Sequence, residues 1–325
     1  MRPAAAARAR ADARLRALRA QLCAEPAASL AELLLGAWAA REGDADDVAL
    51  ASLPPLADLE EALSVGRAMA ASPLAARIGG HCGWKMGWKG SMEERHALCG
   101  PLFGAGQLAS GAEVSLSAMG VFSAEAEFCV VLGSALGART TPYTEAEVWA
   151  AVGRVDLAIE LCGARQFRSE DRLHYVADAL LSAGVVRGPT VGSGAELEPA
   201  SLLAPKVRLL VGGAEVSSGD ASNNPGDSPL ASLTLLANEL CVERGLTLAA
   251  GMVVICGHCC KPTQYRCRLG CILIIWAAFS GGSDIVVDRH RGAGGAAEPS
   301  HAGRPEAARV GRGGVAGGGH AAGGV

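Results

Sequence analysis

A change of texture at Gly79-Gly80 constrains this chain more than any other feature of its sequence. Before it, residues 8–42 are rich in Ala, Leu and Arg with few breakers until Gly43. Residues 57–70 follow, with apolar Leu59, Leu63 and Val65. Both stretches read as helices, and Ser29 with Glu32 three later fits a capping box. After the boundary, and up to about Val287, short apolar runs alternate with Gly, Pro, Asn and Asp turns, the pattern of a strand-rich body. Strands are expected at 128–132, 155–161, 184–187, 207–211, 252–256, 272–279 and 285–287. Helices are expected at 144–152 and at 229–244, where Leu230, Leu233, Leu236, Ala237 and Leu240 make an apolar face.

Charge separates the ends from the body. Of a net −4, residues 1–25 carry +4 and residues 289–325 carry +3, which leaves −11 between them. An acidic body does not read nucleic acid. The longest late apolar run, 271–279, is about half of the ~18 residues that a membrane helix needs, so no membrane role is expected. Residues 289–325 hold 12 Gly and 9 Ala with almost no large apolar side chain, and are expected to be a disordered tail. The 11 cysteines are odd in number and several sit in apolar runs, as free core thiols in a reducing compartment do. A cytoplasmic protein is expected, with organellar import as the alternative that the Arg-rich start leaves open.

Three features carry chemistry. In Phe122-Ser-Ala-Glu125-Ala-Glu127-Phe-Cys-Val-Val-Leu, strand geometry points Glu125 and Glu127 to one face. Two carboxylates that close repel unless a cation sits between them, and hard oxygen ligands select Mg²⁺ or Mn²⁺. A solvated edge strand is the other reading of the same spacing. Glu160 interrupts the apolar run Val155-Asp-Leu-Ala-Ile-Glu160-Leu-Cys, so it too requires a cation, either a metal ion or Arg154 or Arg165. The third feature is Cys82-Gly-Trp-Lys85-Met-Gly-Trp-Lys89-Gly, whose glycines let backbone approach a ligand. Lys85 between two Trp residues is either a lysine of lowered pKa fit for proton transfer or a surface lysine packed along its stem. His258, Cys259, Cys260, Cys267 and Cys271 cluster but lack zinc-module spacing, and free thiols are expected there. No G-x-G-x-x-G or P-loop supports nucleotide binding.

In order and spacing, G-x-K-x-G at 83–87, Gly100-Pro101, E-x-E at 125–127 and Ala158-Ile-Glu160 resemble the fumarylacetoacetate hydrolase superfamily. The branch most similar is that of 2-keto-4-pentenoate hydratase and oxalocrotonate decarboxylase, with further matches at Val176-Ala-Asp178, at 229–238 and at 248–257. The resemblance covers roughly residues 28–288 and implies an α+β fold, a helical N-terminal segment packed on a mixed curved β-roll. It implies a helical segment (28–78) and a catalytic domain (79–288), and charge and composition set off a basic extension (1–27) and the tail (289–325). It implies Glu125, Glu127 and Glu160 as ligands of Mg²⁺ or Mn²⁺, with Lys85 and Asp178 catalytic. The activity implied is hydration of a small 2-hydroxydienoic acid, with a homo-oligomer expected. Decarboxylation, acylpyruvate hydrolysis or a catalytically silent relative are the alternatives. Two departures stand out: Ala179 replaces an Asn of the branch, and His258-Cys259-Cys260 replaces hydroxyl residues that line its substrate site.

Overall fold

The structure, a computed structural model, describes residues 26–39, 55–89, 96–116, 119–164, 172–211, 214–266, 272–277, 283–289 and 298–299. Helix α1 (Pro26–Ala39) starts three residues before Ser29, because proline suits a first turn whose N–H groups lack helical partners. The expected Ser29–Glu32 capping box therefore does not open the helix, and Ser29 is buried inside it. Leu30, Ala31, Leu34, Leu35 and Trp38 form its buried stripe. Helix α2 (Leu59–Ala71) opens on Asp58, whose side chain accepts from the Glu61 amide at 2.9 Å. It buries Ala62, Leu63, Val65 and Met69 and packs against α1. Residues 8–25 and 40–42 of the expected helix lie outside the described residues. A 3₁₀ turn (Pro73–Ile78) ends at Gly79 in the left-handed region, and the first strand follows.

That strand, β1 (His81–Lys89), pairs antiparallel with β2 (His96–Phe103). Short strands β3 (Gln107–Ala109) and β4 (Ala112–Ser115) lead into β5 (Val121–Leu132). Helix α3 (Glu145–Ala150), opened by a Thr144/Glu147 capping box, precedes β6 (Val152–Gly163). Helix α4 (Arg172–Ala177) leads to β7 (Ser182–Ser193), and then come β8 (Val207–Val211) and β9 (Ala214–Gly219). Helix α5 (Pro229–Ala237), capped by Ser228, runs into a π-helical turn (Asn238–Glu243). The chain closes with β10 (Val253–His258), β11 (Thr263–Arg266), β12 (Ile272–Ala277), β13 (Ser283–Arg289) and the two-residue β14 (Glu298–Pro299).

The main sheet is mixed, in the order β2-β1-β10-β5-β6-β7-β3, with β11 on β5 and β14 on β11. It curls strongly into a half-barrel. A second, five-stranded sheet runs β4-β12-β13-β8-β9. With the N-terminal helices this is the α+β architecture expected. Leu102, Cys129, Val131, Ala158, Val185, Val253 and Ile255 form a small apolar cluster of their own, apart from the main core. The eight described cysteines are all free, and seven are buried. Among the described residues no helix is long and apolar enough to cross a membrane. Glu298–Pro299 falls in the segment expected to be a tail, and most of that segment lies outside the described residues.

Candidate active site

Strand pairing decides which acids meet. The β5–β6 register sets Glu125 directly opposite Glu160, while Glu127 lies opposite Ala158 on one side and His258 of β10 on the other. Lys85 sits in mid-strand between Gly100 of β2 and Ile255 of β10. Two strands, β10 and β5, separate β1 from β6, so a flat sheet would hold the two backbones about 14 Å apart at ~4.8 Å per step. The curl closes that gap. The Lys85 ammonium lies 2.6 Å from both carboxylate oxygens of Glu160 and donates to Oε2. Glu160 therefore takes Lys85 as its cation. Arg154 instead pairs with Asp156 at 3.1 Å, and Arg165 lies outside the described residues.

A second acceptor fixes Lys85. Its ammonium also donates to the Leu180 carbonyl at 3.1 Å. Ala179, Leu180 and Leu181 all have positive φ (49°, 54° and 63°), a costly conformation for three consecutive residues that carry side chains. The turn they form is seated on the β1–β2 hairpin. A Cβ on Gly100 would lie 2.5 Å from the Ala179 carbonyl oxygen, and one on Gly87 would lie 2.6 Å from Leu180 Cδ2. Gly87 of the lysine motif and Gly100 of β2 thus admit the turn that supplies the lysine's acceptor. Asp178 precedes that turn, 0% exposed, with its backbone carbonyl accepting from Leu181 at 2.8 Å. It does not line the cavity described below.

The electrostatics follow from burial. Burial pulls the Lys85 pKa down, but the charges of Glu160, Glu125 and Glu127 outweigh it and hold the ammonium above its ordinary value. The lowered lysine pKa expected from apolar surroundings is thus overturned, because three acids surround the amine. Burial pushes the Glu127 carboxyl well above its ordinary range, and Glu160 and Glu125 push it further. Burial also raises Glu160, with Lys85 opposing. Glu127 Oε2 accepts from the Gly257 amide at 2.8 Å, while its Oε1 is buried without a hydrogen-bond partner. Gly257, at φ 103°, lies where the β10–β5 ladder shifts register, which frees its N–H for Glu127.

Three carboxylates against one ammonium, with a buried oxygen unpartnered, fit a divalent cation. The tightest set is Glu125, Glu160 and Cys162, whose ligand atoms all lie within 4.8 Å of one another. Glu127 is not part of that set. A cavity of about 650 Å³ opens beside the cluster, lined among others by Lys85, Glu125, Leu180, Asn224 and His258. Of the three acids only Glu125 lines it. His258 Nδ1 stands 3.8 Å from Glu125 Oε2. Sequence reasoning passed over Cys162 and Asn224. Cys162 was accessible through strand period two from Glu160. Asn224 donates to the Gly257 carbonyl and leaves its Oδ1 buried without a partner, and its Asn-Pro-Gly-Asp setting reads as plain turn chemistry.

No family model matches the chain, and no curated protein matches it significantly. Solved structures do. 4-Oxalocrotonate decarboxylase from Pseudomonas putida G7, complexed with calcium and acetate, aligns at 24% identity over 82% of this chain and 97% of that one, with a TM-score of 0.61. The fold is that of 4-oxalocrotonate decarboxylase. The same enzyme complexed with magnesium and adipate aligns at 23% identity, over 82% and 97% of the two chains, again with a TM-score of 0.61. The match covers most of both chains, and the α+β architecture implied by the sequence resemblance is the architecture observed.

Proposed function

We propose that this chain is a divalent-metal-dependent hydro-lyase that hydrates a 2-hydroxy-2,4-dienoate, of the 2-keto-4-pentenoate type, to a 4-hydroxy-2-oxo acid. The observation that carries the reading is the meeting of Lys85, Glu125 and Glu160 beside a cavity of small-molecule size. Glu125, Glu127 and Glu160 would hold the ion, Mg²⁺ or Mn²⁺ if carboxylates alone bind it. The ion supplies, when bound, a Lewis acid for the oxygens of a 1-carboxylate and 2-oxo group. Met86, Leu98, Leu180 and Leu181 line the cavity and suit the hydrocarbon part of a dienoate. Lys85, kept protonated and held by Glu160 and the Leu180 carbonyl, moves the proton during ketonisation, which leaves an enone to which water adds. Asp178 acts through the strained turn, as a positioning residue.

The test is loss of the ultraviolet absorbance of a 2-hydroxydienoate by the full-length protein, with the product mass showing addition of water. Turnover is expected to need the ion and to vanish in Glu125→Gln. Absorbance loss that survives chelation would overturn the reading. Decarboxylation of a 2-oxo dioate is a second reading, favoured by His258, which brings ring nitrogens to the cavity where a second carboxylate would lie. The decarboxylase that shares this fold is complexed with magnesium and adipate, a dioate, which supports this second reading. Release of carbon dioxide instead of uptake of water would decide for it.

A further inference from the structure

The site holds one sulfur that the proposed reaction does not use. Cys162 lies two residues beyond Glu160 on β6, so both face the side that bears Glu125. Its Sγ and an oxygen from each acid lie within 4.8 Å of one another. Zn–S of about 2.3 Å and Zn–O of about 2.0–2.2 Å span at most about 4.5 Å between two ligand atoms, so side-chain shifts of a few tenths of an ångström bring all three within reach of one ion. Acids and a cysteine in proximity do not by themselves make a site. The independent sign is Glu127 Oε1, fully buried, with no hydrogen-bond donor, on the same strand face as Glu125. A buried carboxylate oxygen with an idle lone pair calls for a cation.

We infer that Cys162 is a metal ligand together with Glu125 and Glu160, forming a mixed sulfur–oxygen site that prefers a borderline ion of the Zn²⁺ class over Mg²⁺. The inference rests on the reading that this site binds a divalent ion, and refines which one. Thiolate is a soft ligand and selects zinc-like ions, whereas an all-carboxylate site suits magnesium. On ligation the thiol proton passes to solvent and a sulfur lone pair forms the bond to the ion.

Full-length protein, stripped with a chelator, is titrated with Co²⁺ as the spectroscopic probe, and Zn²⁺ and Mg²⁺ affinities are measured by calorimetry. A stoichiometric thiolate-to-cobalt charge-transfer band in the near ultraviolet is expected. It disappears in Cys162→Ser and in Cys162→Ala, and the second variant avoids placing a hydroxyl in a buried site. Each variant should lose on the order of 10–100-fold or more in Zn²⁺ affinity, the scale seen even for outer-shell partners, with Mg²⁺ affinity little changed. If neither folds, Glu125→Gln at a partly exposed position keeps every thiol and should still lose the band. Co²⁺ bound without the band, or a band that persists in the variants, overturns the inference and leaves the metal reading standing. Failure of the native protein to bind any of the three ions overturns both.

Discussion

Lys85 keeps its charge where burial opposes it, because Glu160 lies 2.6 Å away and Glu125 and Glu127 add to the field. Its substitution therefore separates chemistry from binding. Lys85→Met should lower kcat by roughly 10²–10⁴-fold, the range for general acid–base groups, while the ion still binds. Lys89→Met should chiefly raise KM, and steady-state kinetics of the pair would expose an error if Lys85→Met kept a near-native kcat. The acids give a pH prediction with a definite sign. Glu127 and Glu160 titrate above their ordinary 4.5 in the folded state, so the fold binds more protons than the unfolded chain from about that pH upward. Stability must fall as pH rises through this window. Thermal melts in chelator should be highest in mild acid and decline toward neutrality. An ion at about 100 times its Kd should restore about 2.7 kcal/mol. Glu127→Gln keeps an oxygen for the Gly257 amide, and should flatten the decline and shrink the ion's effect. A chelated protein that grows more stable between about pH 5 and 7 would contradict the assignment. Carboxylates that interrupt apolar strands were legible in the sequence because burial of charge is costly wherever it occurs. Strand period two from Glu160 reaches Cys162 as well, but a cysteine in an apolar run looks the same whether it packs or ligates.

Among the elements, the hairpin β1–β2 matters most and was the least visible. Gly83 and Gly87 lie in one strand and Gly100 and Pro101 in the other, residue types that weaken any strand pattern. They mark a ligand loop to a reader of sequence, yet they form a ladder, with Pro101 tolerated because β2 is the edge of the sheet. By contrast 207–211 was legible to the residue, since Val207, Leu209 and Val211 alternate inward with period two. The expected helix 229–244 divides into α5 and a π-turn, where Asn238 exchanges two hydrogen bonds with the Tyr143 backbone and draws the helix end toward that loop. No periodicity in α5 could foretell a partner 95 residues away. The hairpin offers the test at this scale. Gly100→Ala places a methyl 2.5 Å from the Ala179 carbonyl oxygen and should displace the Leu180 acceptor from Lys85. Expected are a loss of about 1–3 kcal/mol in stability and a fall in kcat with the ion affinity kept. A variant with native melting and native kcat would show that the turn does not position the lysine.

At the scale of the molecule, the curl of the main sheet is what turns dispersed acids and a lysine into one site, and nothing local encodes it. It depends on β1 lying parallel to β10, with Lys85 opposite Ile255, 170 residues on, a pairing that only the finished sheet stabilises. The same sheet reaches beyond the expected domain end. Strand β11 pairs with β5 at Thr263 and Gln264 opposite Ala124 and Ser123, and β14 adds Glu298 and Pro299 opposite Arg266 and Tyr265. The strand carrying Glu125 is thus braced, at one remove, by two residues of the Gly/Ala-rich end. A two-residue bridge contributes one or two net hydrogen bonds, each about 0.5–1.5 kcal/mol. Removing residues 301–325 should therefore leave stability and ion affinity unchanged. Removing 290–325 as well takes away β14 and should cost about 1–3 kcal/mol, a fall of several degrees in Tm, with the ion still bound because Glu125, Glu127 and Glu160 keep their own ladder. Melting curves and calorimetry on the two truncated chains settle the point. If the longer truncation loses folding or solubility altogether, the C-terminal residues belong to the core of the fold; if neither truncation changes Tm, the bridge contributes nothing and the domain ends at β13.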